Sequence, residues 1–191
     1  MLKKFEFEYE SFQNASALAK EDIDLLEAAR KATATAFAPY SNFKVGAAAR
    51  LNTGLIILGS NQESASYPVG ICAERALLNS IGSQFSQATI ISLAVSYDAV
   101  GKASIEPLSP CGMCRQSILD FENRYQAPIR VILAGLEGEV MVFKSASRRS
   151  SRWLMRYTPF LLDLPLLGPL SMDPKKMSHS SHLLPEHNPS A

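Results

Sequence analysis

Hydrophobic positions along this chain change period several times, and each change predicts an element. Phe5, Phe7 and Tyr9 alternate with polar residues, the signature of a short edge strand. From Asp22 the spacing becomes helical: Leu25, Ala29, Ala32 and Ala36 recur at three and four residues, until Pro39 ends the run in the turn-forming "APYSN". Two strands follow, "KVGAAARL" and "LIILGSN", with a hairpin turn at Asn52-Thr53-Gly54 between them. A helix from about Cys72 to Ser83 leads into "TIISLAVSY", a continuous apolar run of the kind found in buried strands. A further helix opens near Cys111 and carries Ile118, Phe121 and Tyr125 on one face. The strands "PIRVILAG" and "EVMVFK", split by Gly138, complete the pattern. This order predicts the α/β class, a three-layer α/β/α sandwich around a mixed sheet of roughly five strands.

The pattern fails after about Ser147. Residues 148–191 hold six of the eleven prolines, all three histidines, and six Lys/Arg against three Asp/Glu. The expected organisation is one domain over 1–147 and an atypical basic, proline-rich tail over 148–191, partly disordered. At 191 residues and 47% hydrophobic, the chain can bury one real core. A net charge of +1 provides no bulk field to recruit nucleic acid or a membrane surface. No apolar run approaches the roughly 20 residues of a membrane span. "MLKKFEFEYE" has two lysines but no apolar stretch behind them, so no signal peptide is expected. An odd count of three cysteines argues against a secreted disulfide framework and for a cytoplasmic protein with reduced thiols.

Those cysteines carry the chemistry. "SPCGMCRQ" places Cys111 and Cys114 three apart, and a CxxC alone fits a redox pair, half of a zinc site, or two small core residues. The third, Cys72, lies in "GICAERALL" at a helix start, and Pro110-Cys111 opens the next helix in the same way. Helix N-termini favour negative charge, so thiolates form readily there. Two adjacent helix starts would present Cys72, Cys111 and Cys114 to one Zn²⁺ per chain. Three soft ligands with an open fourth position describe catalytic zinc, since a closed structural site needs four. Water in that position would need a proton carrier that does not bind the metal, and Glu74 has that chemistry. Arg75, next in the chain, would offset the net negative charge of three thiolates on one dication. A glutamate on a helix is more often part of a solvated face. The coincidence of Cys-x-Glu with Pro-Cys-x-x-Cys favours the catalytic reading.

"CAE" followed by "PCxxC" is the three-cysteine form of the zinc deaminase signature. Over roughly residues 20 to 145 the chain resembles the homotetrameric cytidine deaminases, whose blocks match "APYSNFKVGAAA", "GSNQESASYPVGICAERALL" and "LSPCGMCRQ" in order. The resemblance implies hydrolytic deamination of cytidine and 2'-deoxycytidine in pyrimidine salvage, in a tetramer. It implies that Asn61 and Glu63 bind the ribose hydroxyls, that Phe43 packs on the nucleoside, and that Tyr67 reaches a neighbouring subunit's site. It further implies that the Ala73 N–H holds the ring 2-oxygen, that the Ser109 carbonyl receives the leaving amino group, and that Gln116 supports the thiolates from behind. Where the family continues into a Leu-Leu-Pro helix start and a substrate-covering phenylalanine, this chain reads "RRSSRWLMRYTPFLLDLPLLGPL". The shift suggests an altered reading frame or a foreign extension, with Phe160 as a candidate replacement for that phenylalanine. Three alternatives remain open from sequence: a deaminase of a cytosine-containing antibiotic such as blasticidin S, a polynucleotide editor, and a zinc-stabilised domain without catalysis. The ribose block favours the nucleoside. Only "RRSSRWLMR" points toward nucleic acid, and "HSSH" in a polar tail is a weak metal cluster.

Overall fold

The computed structural model describes residues 8–145. The tail beyond 147, with Phe160 and the histidines, lies outside the described residues, as do Phe5 and Phe7. The elements are β1 (Glu10–Phe12), α1 (Lys20–Ala32), β2 (Phe43–Leu51), β3 (Ile56–Ser60), α2 (Ala73–Gln84), β4 (Ile90–Ala99), α3 (Gly112–Tyr125), β5 (Arg130–Ala134) and β6 (Val140–Phe143). They form one sheet in the order β1-β6-β5-β4-β2-β3. Among these strands only β4 and β5 pair in parallel, joined through α3, the long crossover that a parallel pair requires.

The strands bury both faces. On β2, β4 and β5, the residues Ala47, Ala49, Leu51, Leu93, Val95, Val131 and Leu133 face a core shared with Leu77, Leu78 and Ile81 of α2 and Ile118 of α3. Alternate positions, Ala48, Ala94, Ile132 and Ala134, face Leu25, Leu26 and Ala29 of α1. The period-two alternation of a strand therefore sorts one set of residues into two cores, and three layers follow.

Glycine sets how closely the layers approach. A Cβ on Gly46 would lie 2.1 Å from the Ala29 carbonyl oxygen of α1, and one on Gly59 would lie 2.6 Å from that of Ala73. Gly46→Ala is therefore expected to lower unfolding stability by about 1–3 kcal/mol, as overpacking does, read as a lower urea midpoint at unchanged slope. An unshifted midpoint would mean that α1 can move away from β2 at no cost.

Several boundaries differ from expectation. The edge strand lies at Glu10–Phe12, antiparallel to β6, and Tyr9 precedes it with its ring stacked on Phe143 at 5.7 Å. The sheet consequently has six strands, not about five. Phe12 packs into the α1-side core, and Glu10, two residues earlier on the same face of the strand, pairs with Lys144 and Arg130. Helix α1 ends at Ala32, and Ala36 is not part of it. Thr33 and Thr35 donate their hydroxyls back to the carbonyls of Arg30 and Ala32 and tighten the chain into a 3-10 turn. On α3 the fully inward ridge is Cys114, Ile118 and Glu122, with Tyr125 half-exposed. The buried Glu122 carboxylate accepts from the Ile129 N–H at 2.6 Å and the Ser145 hydroxyl at 3.1 Å, so its burial is compensated by donors.

Candidate active site

Cys72 and Cys111 occupy the N-cap positions of α2 and α3, with extended backbone, and Pro110 sits just outside the second cap. Each cysteine's carbonyl begins its helix, accepting from Ala76 at 3.0 Å and from Arg115 at 2.9 Å. Neither helix has a side-chain cap at its N-cap position, so its first backbone N–H groups have no intrahelical partner. Cys114, one turn into α3, is fully buried.

The three sulfurs lie within 4.8 Å of one another, with 3.8 Å between Cys72 and Cys111 and 3.4 Å between Cys111 and Cys114. Tetrahedral zinc with Zn–S near 2.3 Å would hold sulfurs about 3.8 Å apart, so the donor set fits Zn²⁺ with adjustments of up to about 1 Å. It leaves a fourth position open.

The electrostatics are those of three thiols competing for charge. Cys72 is drawn down to about 5, chiefly by a hydrogen bond from Cys114, with Cys111 and Arg75 assisting against burial. Cys114 moves up, because it keeps its proton to donate a hydrogen bond to the Cys72 thiolate and is itself buried beside Glu74. The two directions describe a single event. One thiolate forms easily and a second beside it is costly without a cation. Glu74, only 4% exposed, is raised above the usual carboxylate range mainly by burial, with the Cys72 charge adding to it. A carboxyl raised in this direction lies nearer neutral pH, which suits acid–base work.

Cys72 and Cys111 open onto a cavity of about 900 Å³, whose lining also includes Asn61, Glu63, Tyr67, Ala73, Glu74, Arg75 and Ser109. Ala73 is the first residue of α2, where an N–H has no intrahelical partner. The Arg75 guanidinium reaches back to the Gly70 carbonyl at 3.4 Å. Tyr67 stands on a 3-10 turn at the cavity's edge and is 89% exposed.

Asn61 and Glu63 are both already engaged. The Asn61 amide oxygen accepts from the Val45 N–H at 2.7 Å, and its nitrogen donates to the Phe43 carbonyl at 3.0 Å. This side chain extends the ladder on β2 just past Ser60, where β3 ends. One amide N–H and one oxygen lone pair remain for a ligand. Glu63 is held by the "APYSN" turn, accepting from the backbone N–H groups of Tyr40 and Ser41 and from the Ser41 hydroxyl. These bonds, the Ser41 hydroxyl first, keep its carboxyl below the usual range and ionised.

Two expected residues lie elsewhere. Phe43 is not part of the cavity lining. It stacks on Tyr97 with centroids 4.9 Å apart and planes 19° apart, because the β2–β4 register puts it diagonal to that ring. Gln116 faces outward on α3 and donates to Asp120, one turn on, at 2.8 Å, away from the thiols. Residues not singled out from sequence also line the cavity, among them Tyr40, Ser41, Leu108 and Met113. For Tyr40 and Ser41 the signal was present: Asn42 takes a left-handed φ of 54°, the tight turn that "PYSN" predicts.

Known proteins share this arrangement of sequence and fold. Residues 19–126, more than half of the chain, match the family described as the cytidine and deoxycytidylate deaminase zinc-binding region. A cytidine deaminase from Halalkalibacterium halodurans is 35% identical over 116 residues, 61% of this chain and 81% of that protein. One from Sporosarcina psychrophila is 37% identical over 116 residues, 61% of this chain and 79% of its own length. The crystal structure of a cytidine deaminase from Burkholderia pseudomallei superposes with a TM-score of 0.56 at 35% identity, covering 68% of this chain and 94% of that one. With its matched region spanning both cysteine-capped helices and the strand β4 between them, this chain belongs to the cytidine and deoxycytidylate deaminase zinc-binding family.

Proposed function

We propose that this protein is a zinc-dependent hydrolase that deaminates cytidine and 2'-deoxycytidine to uridine and 2'-deoxyuridine with release of ammonia. The observation carrying this reading is the convergence of three cysteine sulfurs beside one buried glutamate at the floor of a cavity that also presents Asn61 and Glu63. Cys72, Cys111 and Cys114 would hold one Zn²⁺, which when bound polarises a water in the open position and lowers its pKa toward about 7. Glu74 takes a proton from the attacking water and passes it to ring N3 as the new C4–O bond forms. It then carries the remaining proton of the C4 hydroxyl to the amino group, so that C4=O forms as the C4–N bond breaks and ammonia leaves. The Ala73 N–H donates to the ring 2-oxygen, and the Ser109 carbonyl accepts from the amino group. Arg75 tempers the charge of the thiolates. Asn61 and Glu63, each with hydrogen-bonding capacity to spare, take a sugar hydroxyl, and a site built for a hydroxyl rejects ligands that lack one.

The setting of this chemistry belongs to the same proposal: a role in pyrimidine salvage in the cytoplasm, by a deaminase domain over 1–147 followed by the tail. Among the described residues no helix is long and apolar enough to cross a membrane. A homo-oligomer, a tetramer by family resemblance, is supported by apolar side chains left open on the elements around the cavity: Tyr67, Val69, Tyr40 and Met113 are each more than 60% exposed. A second copy would cover them and bring Tyr67 to its neighbour's site.

The test is the ultraviolet absorbance of cytidine mixed with zinc-loaded protein. Loss of the cytidine band with one ammonia released per base is the expected outcome. A stable spectrum with zinc fully bound would overturn the assignment of this substrate.

A further inference from the structure

We infer that Ser41 is a positioning residue for Glu63, fixing the carboxylate's remaining acceptor position toward the cavity so that it reads a sugar hydroxyl; this rests on the nucleoside reading above. Glu63 lies on the segment after β3, whose backbone is pinned by its own N–H to the Phe37 carbonyl at 2.8 Å. Its side chain has rotatable bonds that nothing on that segment restrains. The restraint comes from a turn 22 residues earlier in the chain. The Tyr40 and Ser41 N–H groups donate to Oε2 at 3.0 and 3.3 Å, and the Ser41 hydroxyl donates to Oε1.

The Ser41 hydroxyl is itself oriented. Its oxygen accepts from the Phe43 N–H at 3.0 Å, which leaves its proton to point at Glu63. The left-handed Asn42 and the Asn42 N–H to Ala38 carbonyl bond, 3.1 Å, close the turn that presents these donors together. A carboxylate offers about four acceptor positions, and three donors here leave about one. Without Ser41 the Oε1 oxygen would lose its only bond from the turn, and the carboxylate could rotate away from a ligand. The contact is open to water, so its contribution lies in direction and preorganisation and little in stability.

The experiment compares wild-type, Ser41→Ala and Ser41→Thr, as full-length zinc-loaded protein, on cytidine and on 2',3'-dideoxycytidine. Hydrogen bonds to charged groups of this kind are expected to give about a tenfold rise in KM for cytidine in Ser41→Ala, with kcat and zinc content close to wild type. The ratio of kcat/KM between the two substrates should fall by about the same tenfold factor, because the dideoxy sugar never used Glu63. Ser41→Thr keeps the hydroxyl and should recover most of that ratio. A loss of folding alone would depress both substrates equally and leave the ratio as it was. An unchanged ratio in Ser41→Ala, with cytidine still turned over, overturns this inference alone. Wild-type protein that fails to deaminate cytidine overturns the nucleoside reading and this inference with it.

Discussion

Glu74→Gln is expected to leave zinc bound and the fold intact while kcat falls by about 10²–10⁴-fold, the range that a positioned acid–base group contributes. The substitution preserves shape at a position only 4% exposed, where the carboxylate is held above its usual range by burial. A neutral amide removes that desolvation cost, so thermal stability should hold or rise slightly. It cannot accept a proton from water or carry one to a leaving amine. Since the cysteine sulfurs are the three clustered donors, the metal content should stay near that of the wild type. Turnover of cytidine and zinc by atomic absorption, measured on the same preparation, decide the matter. Near-normal turnover would remove Glu74 from the proton path, and a variant that loses its zinc would make Glu74 part of the metal's support.

Cys114→Ser is expected to abolish turnover and to reduce bound zinc more than tenfold, since it removes one of only three soft ligands. Cys114 is fully buried between its two partners and already leans on them through hydrogen bonds, so the remaining pair cannot close around the ion from the solvent side. The same loss should appear as lost stability. If free zinc stands about a thousandfold above its dissociation constant, binding adds about 4 kcal/mol to folding by mass action. Chelator-treated wild type and Cys114→Ser should therefore melt at similar, lower temperatures, and added zinc should restore only the wild type. A serine variant that keeps one zinc per chain and its turnover would end the three-thiolate reading.

The legible part of the site was local chemistry. Cys72 and Cys111 announce themselves because a cysteine at a helix start, one beside Glu74 and the other after Pro110, makes chemical sense within a few residues. The pocket ends of Asn61 and Glu63 could be named from sequence, but their other bonds could not. Asn61 spends half its amide on β2 because β3 stops one residue short, and Glu63 takes three donors from a turn across the site. Phe43 reads as a residue over the ligand, yet the strand register gives it Tyr97 as a partner. Gln116 has a helix neighbour within reach, and the i,i+4 contact with Asp120 claims it. Glu122 was invisible, because a glutamate in a helical run reads as solvated until Ile129, just before β5, and Ser145 are seen to supply donors.

By itself the sequence determined the kinds of element, their order, and the chemistry available at two helix starts. Those properties depend on period, turn residues and caps, and such interactions act over a few residues. Only the tertiary structure decided the rest: that β1 adds a sixth strand beside β6, that α1 takes one face of the sheet while α2 and α3 take the other, and that Cys72 meets Cys111 across 39 residues of chain at 3.8 Å. The reason is physical. Convergence depends on which apolar faces pack together and how closely glycines such as Gly46 and Gly59 let them approach, and no local pattern specifies a distance between segments that are neighbours only after folding.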